Sequence, residues 1–313
     1  MGMKIAVALG GNAILQPGQK GTAEEQLRNV ELTCRQIAAM IREGHRVIVT
    51  HGNGPQVGNI LIQNEAGSHL VPAMPLDICG AESQGQIGYM MQQSLNNVLA
   101  EYGIRVPVVT VVTQMVVDRN DPKFLNPSKP VGPFYGEDVA RQRMREKGER
   151  WVEDAGRGWR RVVPSPEPIR IVEIDAIRTL MDSGAVVIAN GGGGIPVVYE
   201  NGRYVGVEAV IDKDLGGERL AEDVGADLLL ILTDVEKAAL NYRTPKQKDL
   251  DLVTLSEVAR YQAEGHFKAG SMGPKVEACR RFVAKTGRMA VITSLDKALE
   301  GLEGRAGTRI IPD

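Results

Sequence analysis

The sequence predicts an α/β fold with a mainly parallel sheet. Short apolar runs rich in β-branched residues, such as "KIAVAL" (4–9) and "RVIVTH" (46–51), are typical of strands that are buried on both faces. Segments with apolar residues at helical spacing lie between such runs, and glycines end several of these segments. The alternation continues to the end of the chain, which favours α/β over separate sheets and helices.

The first unit is a strand, a loop, a helix and a second strand. After the strand at 4–9, Thr22 and Glu25 have the spacing of a capping box, which predicts the start of a helix. Gly44 ends the helical pattern, and the strand at 46–51 follows. The helix shows apolar residues at spacings of three and four, namely Leu27, Val30, Cys34, Ile37 and Ile41.

The same alternation of apolar runs and segments with helical spacing predicts the remaining helices and strands. The predicted helices lie near 81–102, 173–183, 213–224, 274–286 and 294–303. The predicted strands are 106–117, 185–190, 228–233 and 289–293.

Residues 119 to about 168 break the alternation. They are rich in proline, arginine and glycine, and "RWVEDAGRGWRRVV" (150–163) has the pattern of a hairpin. A long surface loop is the alternative, but loops of this length are usually structured or functional. We therefore expect one domain over 1–313 with an inserted, protruding subdomain at 119–168.

Composition excludes several classes of partner. A net charge of −2 and 4% aromatic residues give neither the basic surface nor the stacking surface for nucleic acid. No run of about 18 apolar residues predicts a membrane span, and Met1 leads into a strand without a targeting signal. The three cysteines are widely spaced and form no CxxC pair, so we expect buried thiols in a reducing cytoplasm.

Glycines cluster after three predicted strands. Gly10, Gly11 and Asn12 follow the first strand, "HGNGPQVG" (51–58) spans the end of the second, and "NGGGGIP" (190–196) follows the strand at 185–190. The carboxyl ends of parallel strands meet at one edge of the sheet, where ligands bind. One such loop could be a tight turn, but three together predict a site where amides bind phosphate or carboxylate oxygens.

Familiar phosphate motifs do not account for these loops. The chain has no G-x-x-x-x-G-K-[ST] sequence, which excludes a P-loop enzyme. "GNGPQVG" resembles the dinucleotide fingerprint, but its last interval is one residue too long and it follows the second strand. A nicotinamide enzyme is therefore a weak interpretation.

Two lysines stand at predicted helix starts. Asp212 is placed to cap a helix that begins at Lys213, and Pro274, a natural first helical residue, directly precedes Lys275. A cation at a helix N-terminus is unfavourable, and a bound anion reverses that sign. Either lysine alone could be a solvated surface residue. Together, with Asp214 to hold the ammonium groups in place, they predict a clamp for polyphosphate.

Other residue types carry less chemistry. Lys129 lies between two restricting prolines in "NPSKPVGPFY", so it is a third candidate cation. The four histidines lack metal-ligand spacing, and only His51 falls at the glycine-rich edge. No activated nucleophile can be identified. Transfer to an oxygen that is already an anion needs no general base, only groups that position phosphates and neutralise charge.

Motifs along essentially the whole chain resemble the carbamate kinase branch of the amino-acid kinase family. The "HGNGPQVG" and "GSMGPK" elements and the inserted lobe distinguish this branch from acetylglutamate and aspartate kinases. The matching segments are "ALGGNA" (8–13), "THGNGPQVG" (50–58), "NPSKPVGPFY" (126–135), "AGRGWRRVVPSPEP" (155–168), "NGGGGIPV" (190–197), "GVEAVIDKDL" (206–215), "LTDVEK" (232–237), "AGSMGPKVEA" (269–278) and "AGTRI" (306–310).

The resemblance implies a three-layer α/β/α sandwich with an open, mainly parallel, eight-stranded sheet, a small protruding subdomain and a homodimer. The implied reaction is ATP plus carbamate giving ADP plus carbamoyl phosphate, with Mg²⁺ carried by the nucleotide. In most bacteria this reaction runs toward ATP, in arginine or related nitrogen catabolism.

The resemblance also implies roles for individual residues. The catalytic set is Lys129, Lys213, Lys275 and Asp214. The substrate-binding set is Gly10, Gly11, Asn12, Gly52 and Asn53. The nucleotide-binding set is Lys213, Thr233, Asp234, Val235, Tyr242, Ser271, Met272 and Lys275, with no metal ligand from the protein.

The chain departs from the branch at two places. Asn190 stands where a small residue such as cysteine is more common, and "LNYRTPKQKD" (240–249) is not a close match. Two other functions stay open from the residues: a kinase for a larger carboxylate, such as acetylglutamate or aspartate, and a nucleotide-binding paralogue without activity.

Overall fold

The computed structural model describes residues 2–153, 156, 158–268 and 270–313. The helices are α1 Ala23–Arg42, α2 Gly54–Gly67, α3 Leu76–Glu101, α4 Glu137–Lys147, α5 Ile174–Asp182, α6 Lys213–Asp223, α7 Leu255–Ala263, α8 Met272–Thr286 and α9 Ala298–Leu302. The strands are β1 Lys4–Leu9, β2 Arg46–His51, β3 Val108–Val111, β4 Gln114–Val116, β5 Lys129–Tyr135, β6 Arg150–Glu153, β7 Trp159–Val163, β8 Arg170–Ile171, β9 Val186–Ala189, β10 Ile195–Glu200, β11 Arg203–Gly206, β12 Leu228–Thr233, β13 Ala239–Leu240, β14 Lys248–Asp249, β15 Leu252–Thr254, β16 Ala290–Ser294 and β17 Thr308–Ile311.

The main sheet has eight strands in the order β15-β17-β16-β12-β1-β2-β9-β3. Its pairings are parallel except for β16 with β17. Alternate residues of β1 enter opposite cores: Ile5, Val7 and Leu9 pack with α1, α3 and α9, whereas Ala6 and Ala8 pack with α5, α6 and α8. This period of two makes the sheet the middle layer of an α/β/α sandwich, which confirms the predicted fold class.

Three smaller sheets surround the main sheet. One has the order β11-β10-β4-β8, and a short hairpin joins β13 to β14. Strands β5, β7 and β6 form a separate antiparallel sheet within 119–168, so the hairpin predicted at 150–163 is confirmed for its two strands. Asp154, Ala155 and Arg157, which belong to the same predicted segment, lie outside the described residues.

Several predicted boundaries are confirmed and others are wrong. Strands β1, β2 and β12 match the predicted limits, and α1 begins at the Thr22 capping box. The strand predicted at 106–117 is two strands, β3 and β4, that belong to different sheets. The helix predicted at 294–303 is a 3₁₀ turn at Leu295–Lys297 followed by α9.

Some helices begin earlier than predicted or were not predicted. Helix α3 begins at Leu76 rather than near 81, and α8 begins at Met272, so Pro274 is its third residue and not its first. Helix α2 begins inside the segment interpreted as a glycine-rich loop. Helix α7, the hairpin β10–β11 and strand β17 are further elements of the structure that the sequence pattern did not indicate.

The buried state of the three thiols agrees with the sequence analysis. Cys34, Cys79 and Cys279 are free and buried. In the described part of the chain, no helix is both long and apolar enough to cross a membrane.

Candidate active site

The candidate site lies at the carboxyl edge of the main sheet, where β12, β1, β2 and β9 are neighbours. The loops after β1 and β2 are tied together, because the Gly52 amide donates to the Leu9 carbonyl at 3.1 Å. The Gly10 amide donates to the Leu232 carbonyl of β12 at 2.9 Å. The Thr50 hydroxyl of β2 donates to the Asn190 carbonyl at 2.9 Å, so the third predicted glycine loop meets the other two at this edge, as expected for parallel strands.

Gly52 packs against the Lys213 side chain. A Cβ on Gly52 would lie 3.0 Å from Cδ of Lys213 and 3.6 Å from the Gly11 amide nitrogen. A side chain here would therefore press on the lysine stem. Because Gly52 has no Cβ, the Lys213 side chain can pass between the loops that follow β1 and β2.

Two lysines share one buried carboxylate. Lys213 is the first residue of α6, and its Nζ donates to Asp214 Oδ1 at 2.7 Å. Lys275, the fourth residue of α8, donates from Nζ to Asp214 Oδ2 at 3.1 Å. Asp214 is 3% exposed, and its backbone amide donates to the capping Asp212 side chain at 3.0 Å. The structure thus brings together both helix-start lysines and the aspartate that was expected to hold them.

The charges of this cluster favour the binding of an anion. Burial lowers the pKa of Lys213, although Asp214 acts to raise it. Burial acts to raise the pKa of Asp214, but the ammonium groups of Lys213 and Lys275 outweigh burial and hold that pKa below its usual value. Two cations share one carboxylate beside a helix N-terminus, so the cluster carries excess positive charge where phosphate oxygens are favoured.

The third predicted lysine arrives from a different sheet. Lys129 is the first residue of β5, and its Nζ donates to Asp212 Oδ2 at 2.8 Å. Asp212 therefore caps α6 and pairs with Lys129, 83 positions earlier in the chain. The small sheet thus contributes a cation to the same group of side chains.

Two cavities meet at the lysines. A cavity of about 710 Å³ is lined by the loop after β1, the end of β12 and the start of α8. A second cavity of about 270 Å³ is lined by Gly52, Asn53 and Lys129. Both cavities are lined by Gly11, Lys213, Gly270 and Lys275. A group held by the two lysines would face both cavities.

The predicted substrate residues divide between the two cavities. Gly10 and Asn12 line only the larger one, Gly52 and Asn53 line only the smaller one, and Gly11 lines both. Asn53 donates from Nδ2 to Ser83 Oγ at 2.8 Å, which orients its carboxamide.

The predicted nucleotide residues also divide. Thr233, Asp234 and Ser271 line the larger cavity with the two lysines. Among the residues that the structure describes, Val235, Tyr242 and Met272 do not belong to that lining. Tyr242 is half exposed with its ring 5.3 Å from the Arg243 guanidinium carbon, and Met272 packs against the core below α8.

Two residues to which no motif assigned a role also lie in this region. His51 ends β2 and is buried, and burial lowers its pKa to about 4, so the imidazole is neutral at physiological pH. Its Nδ1 lies 2.9 Å from the Gly52 carbonyl, which can only accept, so that nitrogen carries the proton. Arg160 lines the smaller cavity and donates to the Gly132 carbonyl at 3.0 Å. The motif "GRGWRR" contained Arg160, but its spacing gave no signal for a contact with β5.

Among the described residues, no three His, Cys, Asp or Glu side chains are grouped as metal ligands. Asp214 and Asp212 are already paired with lysines, whereas Asp234 and Asp296 line the larger cavity. Two carboxylates suit an ion that takes most of its ligands from phosphate and water.

Comparisons with known proteins agree with this geometry. The family model described as "Amino acid kinase family" matches residues 3–294. The carbamate kinase of Thermococcus kodakarensis is 58% identical over 311 residues, covering 98% of this chain and 99% of that protein. The carbamate kinase of Clostridium perfringens is 49% identical, covering 99% of this chain and 100% of that protein.

A solved structure is similar over the whole chain. Carbamate kinase from Giardia lamblia bound to AMP-PNP has a TM-score of 0.95 and 49% identity, covering 100% of this chain and 99% of that one. With the family match, the full-length relatives and the shared architecture, the chain belongs to the amino acid kinase family.

Proposed function

We propose that the protein is a carbamate kinase, which transfers a phosphoryl group between ATP and carbamate. The observation that carries the proposal is the Lys213–Asp214–Lys275 cluster at the junction of the two cavities. Full-length relatives named carbamate kinase support the choice of acceptor.

The two cavities suit two substrates bound at once. The nucleotide lies in the larger cavity, with its terminal phosphate against Gly10, Gly11 and the two lysines. Carbamate lies in the smaller cavity beside Gly52 and Asn53. Binding both substrates on either side of the lysines would align the reacting atoms and remove much of the entropic barrier.

The transfer needs no proton. A carbamate oxygen attacks the terminal phosphorus, a new P–O bond forms, and the bond to ADP breaks with its electron pair going to ADP. The attacking oxygen is already an anion, so the site needs electrostatic stabilisation rather than a general base. Lys213 and Lys275 neutralise the charge on the phosphoryl oxygens, and Asp214 orients the two ammonium groups and offsets their mutual repulsion.

The remaining roles follow the same division. Lys129 approaches from β5 and faces carbamate in the smaller cavity. Asn12 donates to phosphate oxygens from the larger cavity. Thr233, Asp234 and Ser271 contact the nucleotide, and we keep Val235, Tyr242 and Met272 as contacts that nucleotide binding would have to bring closer.

Mg²⁺ enters with the nucleotide in this proposal. It would supply charge neutralisation at the phosphates, and Asp234 and Asp296 are the carboxylates that could approach it.

We extend the proposal to the setting of the enzyme. Residues 119–168 act as a protruding subdomain that carries Lys129. The reaction runs in the cytoplasm, toward ATP, in arginine or related nitrogen catabolism, as the resemblance implies. A homodimer is supported by exposed aromatic surface on the β10–β11 hairpin, where the half-exposed Tyr199 and Tyr204 rings lie 4.8 Å apart. Light scattering that gives the mass of one chain would contradict the dimer.

The test of the function is ATP formation from ADP, Mg²⁺ and carbamoyl phosphate, measured with hexokinase and glucose-6-phosphate dehydrogenase. The same protein is then offered ATP with carbamate, acetylglutamate or aspartate. We expect carbamoyl phosphate to support ATP formation and carbamate to be the preferred acceptor. Preference for a larger carboxylate, or nucleotide binding in calorimetry without turnover, would overturn the proposal in favour of one of the two alternatives.

A further inference from the structure

We propose that Glu65 is a positioning residue that fastens the small β5–β7–β6 sheet to helix α2 and thereby sets the approach of Lys129 to the active site. The inference rests on the proposed role of Lys129. We call Glu65, Tyr135 and Arg143 the α2 latch.

The α2 latch joins three elements that are distant in sequence. Glu65 lies in the last turn of α2, Tyr135 ends β5, and Arg143 lies on α4. The Tyr135 hydroxyl donates to Glu65 Oε2 at 3.0 Å, and Arg143 forms an ion pair with Glu65 Oε1. One carboxylate of α2 therefore holds both a strand and a helix of the inserted segment.

Aromatic packing makes the α2 latch stiffer than a surface ion pair. The Arg143 guanidinium carbon lies 4.5 Å from the Tyr135 ring centroid and 5.5 Å from that of Trp151. The two rings meet edge to face with centroids 5.4 Å apart, and Trp151 is buried. Isolated exposed ion pairs contribute little, but stacking fixes the guanidinium where Glu65 accepts from it.

Strand β5 connects the α2 latch to the active site. Lys129 begins β5 and Tyr135 ends it, and the pairing of β5 with β7 shifts register between Val131 and Tyr135. Between them, Gly132 passes close to α2, because a Cβ on Gly58 would lie 3.7 Å from Gly132 Cα. Val131 is buried with Val57 of α2. The strand thus lies along α2, with the catalytic lysine at one end and the latch at the other.

Helix α2 is itself part of the active-site frame. It begins at Gly54, directly after Gly52 and Asn53 of the smaller cavity. A strand fastened to α2 therefore keeps Lys129 in register with the loop that would hold carbamate. Loss of the Glu65 contacts would leave the Lys129 side chain chemically unchanged but less well aligned with Asp212 and the acceptor.

The test compares Glu65→Ala and Tyr135→Phe with Glu137→Ala. Glu137 is a matched control, because it is an exposed carboxylate that pairs with Arg141 one turn further along α4. We expect Glu65→Ala to lower kcat/KM for carbamoyl phosphate about tenfold, because misaligned Lys129 would lose the equivalent of one hydrogen bond to a charged group. KM for ADP should not change, because Lys129 lines only the smaller cavity. Tyr135→Phe should give a smaller loss of the same kind, and Glu137→Ala should match the wild type.

A second enzyme background, one without Lys129, separates a positioning role of Glu65 from a general loss of stability. In a Lys129→Met enzyme, Glu65→Ala should cause no further loss, because the residue through which it acts is gone. Equal losses in both backgrounds, or an equal rise of KM for both substrates, would overturn the inference.

Hydrogen exchange keeps the inference separable from the proposed function. Peptides that cover β5 should exchange faster in Glu65→Ala than in the wild type and in Glu137→Ala. Unchanged exchange would refute the α2 latch whatever the activity. If the wild type lacked the kinase activity while β5 exchange rose in Glu65→Ala, the proposed function and the role of Lys129 would fail, and only the mechanical fastening would stand.

Discussion

The substitution Asp214→Asn tests the centre of the cluster, because it removes one charge and almost no volume. In the native site the Asp214 carboxylate accepts from Lys213 at 2.7 Å and from Lys275 at 3.1 Å while it is 3% exposed. Asparagine would leave two neighbouring ammonium groups without their shared anion. Removing one partner from a buried pair costs about 3–5 kcal/mol, and losing a preorganised electrostatic contact lowers turnover about 10²–10³-fold.

The pH dependence of the variant gives the prediction a sign. Burial already lowers the pKa of Lys213, and Asp214 is the group that opposes this. Without the carboxylate the Lys213 pKa falls further, so the lysine loses its proton at a lower pH than in the wild type. Turnover that needs the cation should then decline earlier as pH rises.

The assay is the initial rate of ATP formation from ADP and carbamoyl phosphate, followed from neutral to alkaline pH. Asp175→Asn is the matched control, because Asp175 is exposed on α5 and pairs with Arg178 one turn away. Circular dichroism would establish that both variants fold. A rate within about threefold of the wild type, with an unmoved alkaline limb, would refute the electrostatic role of Asp214.

Three further predictions follow from the same structure. Gly52→Ala should lower turnover about tenfold, because the new methyl group would displace the Lys213 stem. Gly67→Ala should leave turnover unchanged, because its Cβ would meet no atom of the described residues within 4 Å. Steady-state kinetics distinguish the two variants, and equal rates would contradict the close approach of Gly52 to Lys213. Burial opposes ionisation of Glu277, but hydrogen bonds from Arg280 and Arg281 outweigh it and lower its pKa to about 2, so its stabilisation is present above about pH 4.5 and is lost as pH falls toward 2. Glu277→Gln should therefore lose about 1 kcal/mol of unfolding free energy in urea at neutral pH and show a flatter acid limb, and an unchanged acid limb would argue against it. Burial raises the pKa of Cys34 to about 12 and of Cys79 to about 11, so a thiol reagent should label the native protein slowly, label three thiols after unfolding, and leave activity intact; rapid labelling with inactivation would show an accessible thiol.

The sequence was most informative where one local signal decided the structure. Strands β1, β2 and β12 are apolar runs with clear ends, and their predicted limits match. Thr22 and Glu25 form the capping box that begins α1. Asp212 caps α6 through the Asp214 amide, which places Lys213 at the first helical position as expected.

The sequence was least informative where a distant contact decided the structure. The segment 106–117, rich in valine and threonine, is broken because the Thr113 amide donates to the Gln84 side chain of α3, and no local pattern indicates that contact. Helix α2 was missed because its glycines resembled a loop, although Pro55 in its first turn was an available helix signal.

The candidate site shows the same division. The glycine loops and the two helix-start lysines could be found from pattern and dipole arguments. The pairing of Lys129 with Asp212, the neutral His51 and the α2 latch depend on elements that the fold brings together from distant parts of the chain. The roles of the individual residues stay predictions until variants are measured.

The stereochemistry of transfer distinguishes a single in-line step from a path through a phosphorylated enzyme. In the proposed mechanism, ADP and carbamoyl phosphate bind on opposite sides of Lys213 and Lys275 and exchange the phosphoryl group in one in-line step. With a transferred phosphate made chiral by oxygen isotopes, we expect inversion of configuration at phosphorus. Retention, or the absence of any transfer to ADP, would contradict it.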